Sequence, residues 1–102
     1  MLVQSKEQIF RRITDNRAAF DELGVHRFGL FGSFVKGEQK THSDIDLLVE
    51  FRPGKKSFDN FMGLSFLLEN ILGRKVDLLT PESLSRHIGP KILAEVEYGD
   101  ID

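Results

Sequence analysis

Asp44 and Asp46 stand two residues apart in the segment DIDLLVEF. Ile45, Leu47, Val49 and Phe51 alternate there with Asp44, Asp46, Leu48 and Glu50. That alternation predicts a strand over residues 44–51, with both carboxylates leaving the same face. Leu48, next along that face, is apolar, so the face is expected to be partly covered. Two like charges about 4 Å apart near a protein surface repel by about 4 kcal/mol at an effective dielectric of about 20. Nothing in the strand offsets this, and the pair requires a cation, a basic partner or one retained proton. A D-x-D pair taken alone also fits a solvent-facing strand start. Asp77 strengthens the case for a shared site. It lies inside a second apolar run, Val76-Asp77-Leu78-Leu79, where burying a lone acid is costly. Three aspartates, with no cysteine in the chain and no ligand spacing among His26, His42 and His87, favour a hard cation with oxygen ligands. Mg²⁺ is the natural choice, because it keeps waters and bridges to substrate phosphates.

Gly32-Ser33 lies between the apolar run Arg27-Phe28-Gly29-Leu30-Phe31, which reads as a buried strand, and a short helical turn, Ser33-Phe34-Val35-Lys36, closed by Gly37. Free backbone N–H groups at a helix start attract anions, and glycine lets a phosphate approach closely. An N-capped turn would give the same two letters. Position gives the motif its interest: a phosphate cradle ends one strand and the acids begin the next.

The remaining chain supplies elements to hold these pieces. Residues 6–23 place Ile9, Phe10, Ile13, Phe20 and Leu23 at helical spacing, and Gly24 stops the helix. Ser57 caps a second helix reaching about Leu72, with Phe58, Phe61, Leu64, Leu68 and Ile71 three or four apart and Gly73 as the stop. Residues 75–80 form a third strand, with Asp77 and Leu79 on one face. The tail reads as two short helices split near Gly89-Pro90. The expected fold class is α/β (α+β): a small mixed sheet flanked by helices, in a single domain over residues 1–102.

Composition narrows the function. The chain has 14 basic and 16 acidic residues, a net charge of −2, which disfavours nucleic acid as a partner held through phosphate contacts. Lys55-Lys56 and Arg74-Lys75 read as solvated loop charge. With no cysteine there is neither a disulfide nor a thiolate site. No signal-like or membrane-spanning apolar run is present, so the expected location is the cytoplasm. Tyr98, the one tyrosine, reads as packing for the tail rather than as a modification site.

Gly32-Ser33, ten residues, then Asp44-Ile45-Asp46 forms G-S-x₁₀-D-x-D, which resembles the signature of the DNA polymerase β-like nucleotidyltransferase superfamily. The run LFGSFVKGEQKTHSDIDLLVEF looks like its minimal nucleotidyltransferase (MNT) group, and KVDLLT resembles the strand that carries a third acid. The likeness spans nearly the whole chain. It implies a polymerase β-like fold, with Asp44, Asp46 and Asp77 as metal ligands, two Mg²⁺ ions, ATP as substrate, and Gly32 and Ser33 as the triphosphate site. Lys36 stands where relatives usually carry arginine, and Val35 where they carry a small residue. Lysine keeps the charge without the planar fork.

Stand-alone MNT proteins commonly act as antitoxins to HEPN toxins, and some transfer AMP to a toxin tyrosine. The resemblance therefore implies a protein adenylyltransferase. Asp77 is the expected proton acceptor, since from its separate strand it can face the acceptor rather than the leaving group. Two other functions remain open: a nucleotide-binding antitoxin that neutralises its partner by covering it, and a transferase for a small molecule such as an aminoglycoside. Self-association also remains open. With few residues beyond the site, docking on a partner is expected to fall to the first helix or to the tail helix around Ile92, Leu93 and Val96.

Overall fold

The computed structural model describes residues 3–101. Helix α1 (Lys6–Asp15) starts at Ser5, whose hydroxyl accepts the Gln8 N–H at 3.2 Å. It stops at Asn16, and α2 (Arg17–Glu22) follows at once. The single helix expected over residues 6–23 is therefore two. Asn16 Nδ2 donates to the Arg12 carbonyl at 2.7 Å. A short amide side chain competes in this way with the backbone ladder and breaks it.

Strand β1 (Val25–Phe31) leads into the one-turn helix α3 (Ser33–Lys36), and β2 (Ile45–Phe51) returns antiparallel to β1. Helix α4 (Phe58–Leu72) starts on the Ser57 hydroxyl and stops at Gly73, whose φ is 71°. It carries the chain across to β3 (Val76–Leu79), parallel to β2 as such a crossover requires. A single 3₁₀ turn (Pro81–Ser83), helix α5 (Gly89–Glu95) and β4 (Glu97–Asp100) complete the chain. The sheet order is β3-β2-β1-β4. No helix among the described residues is long and apolar enough to cross a membrane.

The expected mixed sheet flanked by helices is present, and the tail departs from expectation. Its first expected helix is only the 3₁₀ turn, and its end is a fourth strand. Glu97-Tyr98-Gly99-Asp100 holds three residue types that strands usually avoid. β4 forms because β1 offers a free edge, with Phe28 opposite Gly99 and Gly29 opposite Tyr98. Arg27 stacks its guanidinium 3.8 Å above the ring of Tyr98, which stays 39 % exposed.

The two faces of the sheet are covered unequally. On one, α1, α2 and α4 bury Ile9, Ile13, Phe20, Leu64, Leu68 and Leu72 against Leu30, Ile45, Leu47 and Val49. On the other, a small cluster of Phe31, Leu48 and Ile92, flanked by Leu79, Leu84 and Val96, seats only α5. Leu48 is thus covered, as its neighbours imply. Of the surfaces expected to dock a partner, the apolar face of α1 and α2 is core, and in the tail Ile92 is 6 % exposed. Of Ile92, Leu93 and Val96, it is Leu93 that faces out, at 51 %.

Ile92→Ala should therefore cost about 2–5 kcal/mol in urea denaturation, and Leu93→Ala less than about 0.5 kcal/mol. Equal costs would mean that α5 is rotated from the placement described here.

Candidate active site

The site is assembled where β1 ends and β2 begins. Gly32 adopts φ 78°, ψ −151°, a conformation essentially closed to residues with a side chain. It turns the chain sharply from β1 into α3. A β-carbon on Gly32 would also collide with Oδ2 of Asp46. The glycine backbone and the strand acid are therefore in direct apposition. Ser33 begins α3 half-buried, Phe34 is buried beneath it, and the exposed Lys36 ends the turn.

Register fixes the acids. Asp46 pairs with Phe31 on β1 and with Asp77 on β3. Paired residues share a face, so Asp46 and Asp77 are lateral neighbours on the thinly covered side of the sheet. Asp44 precedes the first residue of β2 and is exposed. Asp77 is exposed as well, contrary to the expectation of a costly buried acid. β3 is an edge strand, and its acid reaches solvent while Val76 beside it is buried and Leu78 is only partly exposed.

Asp46 is the member in the middle, and its carboxyl is pushed up from 3.8 to about 6. Burial is the largest cause, followed by the charges of Asp77, Asp44 and Glu95. Of the three expected remedies for the acid pair, a retained proton is the one this carboxyl adopts when the pH falls below about 6. Among the described residues, no three acidic, histidine or cysteine side chains are grouped closely enough to hold a metal ion as they stand. The donor set nonetheless suits a hard cation. It consists of carboxylates, and the uncompensated negative field on Asp46 is what a cation would relieve.

Two residues join the site that sequence reasoning missed. Glu95, the last residue of α5, accepts the Gly32 N–H at 3.1 Å and lies 3.4 Å from Lys36 Nζ. The Gly32 amide thus already holds an anion. Glu95 lies three residues beyond the buried Ile92, on the helix face turned toward the sheet, and an acid on that face was the available signal. Arg74, read from sequence as solvated loop charge, is buried at 9 % exposure. Its guanidinium donates to backbone carbonyls of the loop leading into Asp44. Lys55, Lys56 and Lys75 are exposed, as expected.

Comparison with known proteins shows the family and the fold. Residues 13–99 match the nucleotidyltransferase domain family. The chain is 38% identical over 99 residues to the protein adenylyltransferase MntA of Thermococcus cleftensis, covering 96% of this chain and 99% of that one. A Methanocaldococcus jannaschii protein assigned as a protein adenylyltransferase is 46% identical over 72 residues, 71% of this chain and 76% of its own. A solved structure assigned as a minimal nucleotidyltransferase superposes with a TM-score of 0.69 at 29% identity, covering 86% of this chain and 93% of that one. A toxin–antitoxin crystal structure with AMP-PNP shares the fold, with a TM-score of 0.65 at 23% identity over 93% of this chain and 72% of that one. The chain belongs to the nucleotidyltransferase domain family. It is a nucleotidyltransferase of the minimal, MntA-like kind.

The raised Asp46 value has a direct consequence for stability. The fold favours the protonated carboxyl, so no penalty exists below about pH 3.8, and the penalty is complete above about pH 6. In metal-free protein, Asp46→Asn should gain stability over wild type as the pH rises through that window. Urea midpoints that stay parallel for the two proteins from about pH 4 to about pH 7 would contradict the buried, repelled carboxylate.

Proposed function

We propose that this chain transfers AMP from ATP to a hydroxyl of a partner toxin and so acts as its antitoxin. The carrying observation is the apposition of Gly32 to Asp46, which sets a glycine amide beside an acid row. The likeness to MntA over almost all of both chains supports a protein as the acceptor.

In this reading, the triphosphate takes the anion position at the Gly32 amide and Lys36 that Glu95 fills in the free protein. Ser33 adds its hydroxyl. Asp44, Asp46 and Asp77 hold Mg²⁺, in two ions as the family resemblance implies. When bound, Mg²⁺ neutralises phosphate charge and lowers the cost of releasing pyrophosphate. The acceptor oxygen bonds to the α-phosphorus, the bond from that phosphorus to the bridging oxygen breaks, and pyrophosphate leaves. Asp77 takes the hydroxyl proton: it is exposed and stands on a separate edge strand, apart from the Asp44–Asp46 pair, where an acceptor can approach it. The proposed acceptor is a tyrosine of a HEPN toxin.

One observation favours a second reading, an antitoxin that binds nucleotide and silences its partner by covering it. The acids are not grouped closely enough to hold an ion as they stand. Exposed Phe58 and Phe66, on the helix that buries Leu64, Leu68 and Leu72, give such a cover apolar area.

Incubation with ATP, Mg²⁺ and the toxin, read by intact mass, separates the two. Catalysis predicts an AMP-sized gain on the toxin, lost with Asp44→Asn. Asp77→Ala should slow the gain by about a hundredfold or more, the low end for a lost general base. Silencing by Asp44→Asn as complete as by wild type, with no mass gain from either, would favour the covering reading.

A further inference from the structure

Arg74 links parts of the site that are far apart in sequence. It follows Gly73, where α4 ends, and precedes β3. A buried guanidinium is expensive unless its N–H groups are met. Among the described residues, no carboxylate pairs with it, and its partners are carbonyl oxygens. Nε donates to Val3 at 2.7 Å. Nη1 lies 2.8 Å from the Thr41 carbonyl, 3.1 Å from that of Ser43 and 3.3 Å from that of Lys40. Its cationic centre stands 5.2 Å from the Phe34 ring centroid, within cation–π range.

Two of these contacts fall directly beside site residues. Phe34 follows Ser33, Ser43 precedes Asp44, and Arg74 itself lies three residues before Asp77. The anchored loop closes on itself through Ser43 N–H to the Lys40 carbonyl at 3.0 Å and Lys40 N–H to the Ser43 hydroxyl at 2.7 Å. Two residues on, the Ile45 amide joins the Lys75 carbonyl at 3.0 Å. Asp44 is thus the hinge between an anchored loop and the first rung of the β2–β3 pairing. An acid outside the sheet ladder has no register to hold it, and this loop is what can.

We propose that Arg74 is a positioning residue: by clamping the 40–43 loop it sets where Asp44 stands relative to Asp46 and Asp77. Its guanidinium is turned to backbone carbonyls of the loop, so its effect on the site runs through Asp44. Planarity matters here, because one guanidinium reaches Val3 and the loop carbonyls together, and an ammonium cannot keep that fork. The proposal rests on the nucleotidyltransferase site described above.

The test is Arg74→Lys, with circular dichroism to verify the fold and calorimetry to follow Mg²⁺ with a non-hydrolysable ATP analogue. Affinity should fall by about tenfold or more, as for an outer partner of a metal ligand. The loss should vanish when Arg74→Lys is placed on Asp44→Asn, since the clamp acts through Asp44. An equal loss in both backgrounds, or no loss in either, overturns the proposal. Amide exchange supplies a readout that needs no ligand: Lys40 and Ser43 should exchange faster in Arg74→Lys while Leu47 does not. Wild type that fails to bind the analogue would sink the site reading alone, and unchanged exchange would sink the clamp alone. If Arg74→Lys does not fold, Ser43→Ala loosens the same loop from its polar side. Unchanged analogue affinity in that variant equally overturns the claim that the loop positions Asp44.

Discussion

The missing side chain of Gly32 is the constraint on which the site depends. Asp46 Oδ2 occupies the volume in which any other residue would carry its β-carbon. That contact lets the turn after β1 and the acid on β2 share one point in space. The turn in turn depends on φ 78°, which glycine adopts without strain. Sheet register then brings Asp77 alongside, and Glu95 closes the arrangement through the Gly32 amide.

This convergence of acids works against the fold, and the architecture shows how the cost is carried. One side of the sheet receives three helices and most of the buried apolar residues, enough for one modest core. The other side receives a single short helix over Phe31, Leu48 and Ile92. The repelling carboxylates sit on that thin side, where Asp46 is half-buried and Asp44 and Asp77 reach water. Stability comes from one face, and the other carries the charge. The division follows the general trade between a strained site and a stable scaffold.

Much of this was legible in the residues. The alternation through residues 45–51 gave both faces of β2 correctly, because a half-buried strand writes its period in its side chains. The ends of α4 followed from Ser57 and Gly73, whose capping chemistry is local. The misreadings share a cause, namely dependence on distant partners. β4 is made of poor strand formers and exists because β1 has an edge. Asn16 splits a continuous helical pattern by bonding backward to Arg12. Arg74 looks like loop charge until the carbonyls 31 to 34 residues away are seen to surround it. Asp77 sits among apolar letters yet is exposed, because sequence does not say which strand lies at an edge. Glu95 carried a faint signal, a charge on the inner face of an amphipathic helix.

The central claim is that the bare Gly32 backbone, rather than the neighbouring hydroxyl, joins the anion turn to the acids. Calorimetric titration of Gly32→Ala and Ser33→Ala with Mg²⁺ and a non-hydrolysable ATP analogue tests it most directly. Ser33→Ala removes one neutral hydrogen bond and should cost about 1 kcal/mol of binding. Gly32→Ala forces Asp46 aside and strains the turn, so it should lose more than that while remaining folded by circular dichroism. If a folded Gly32→Ala binds as wild type does, or if Ser33→Ala is the more damaging of the two, the account is wrong.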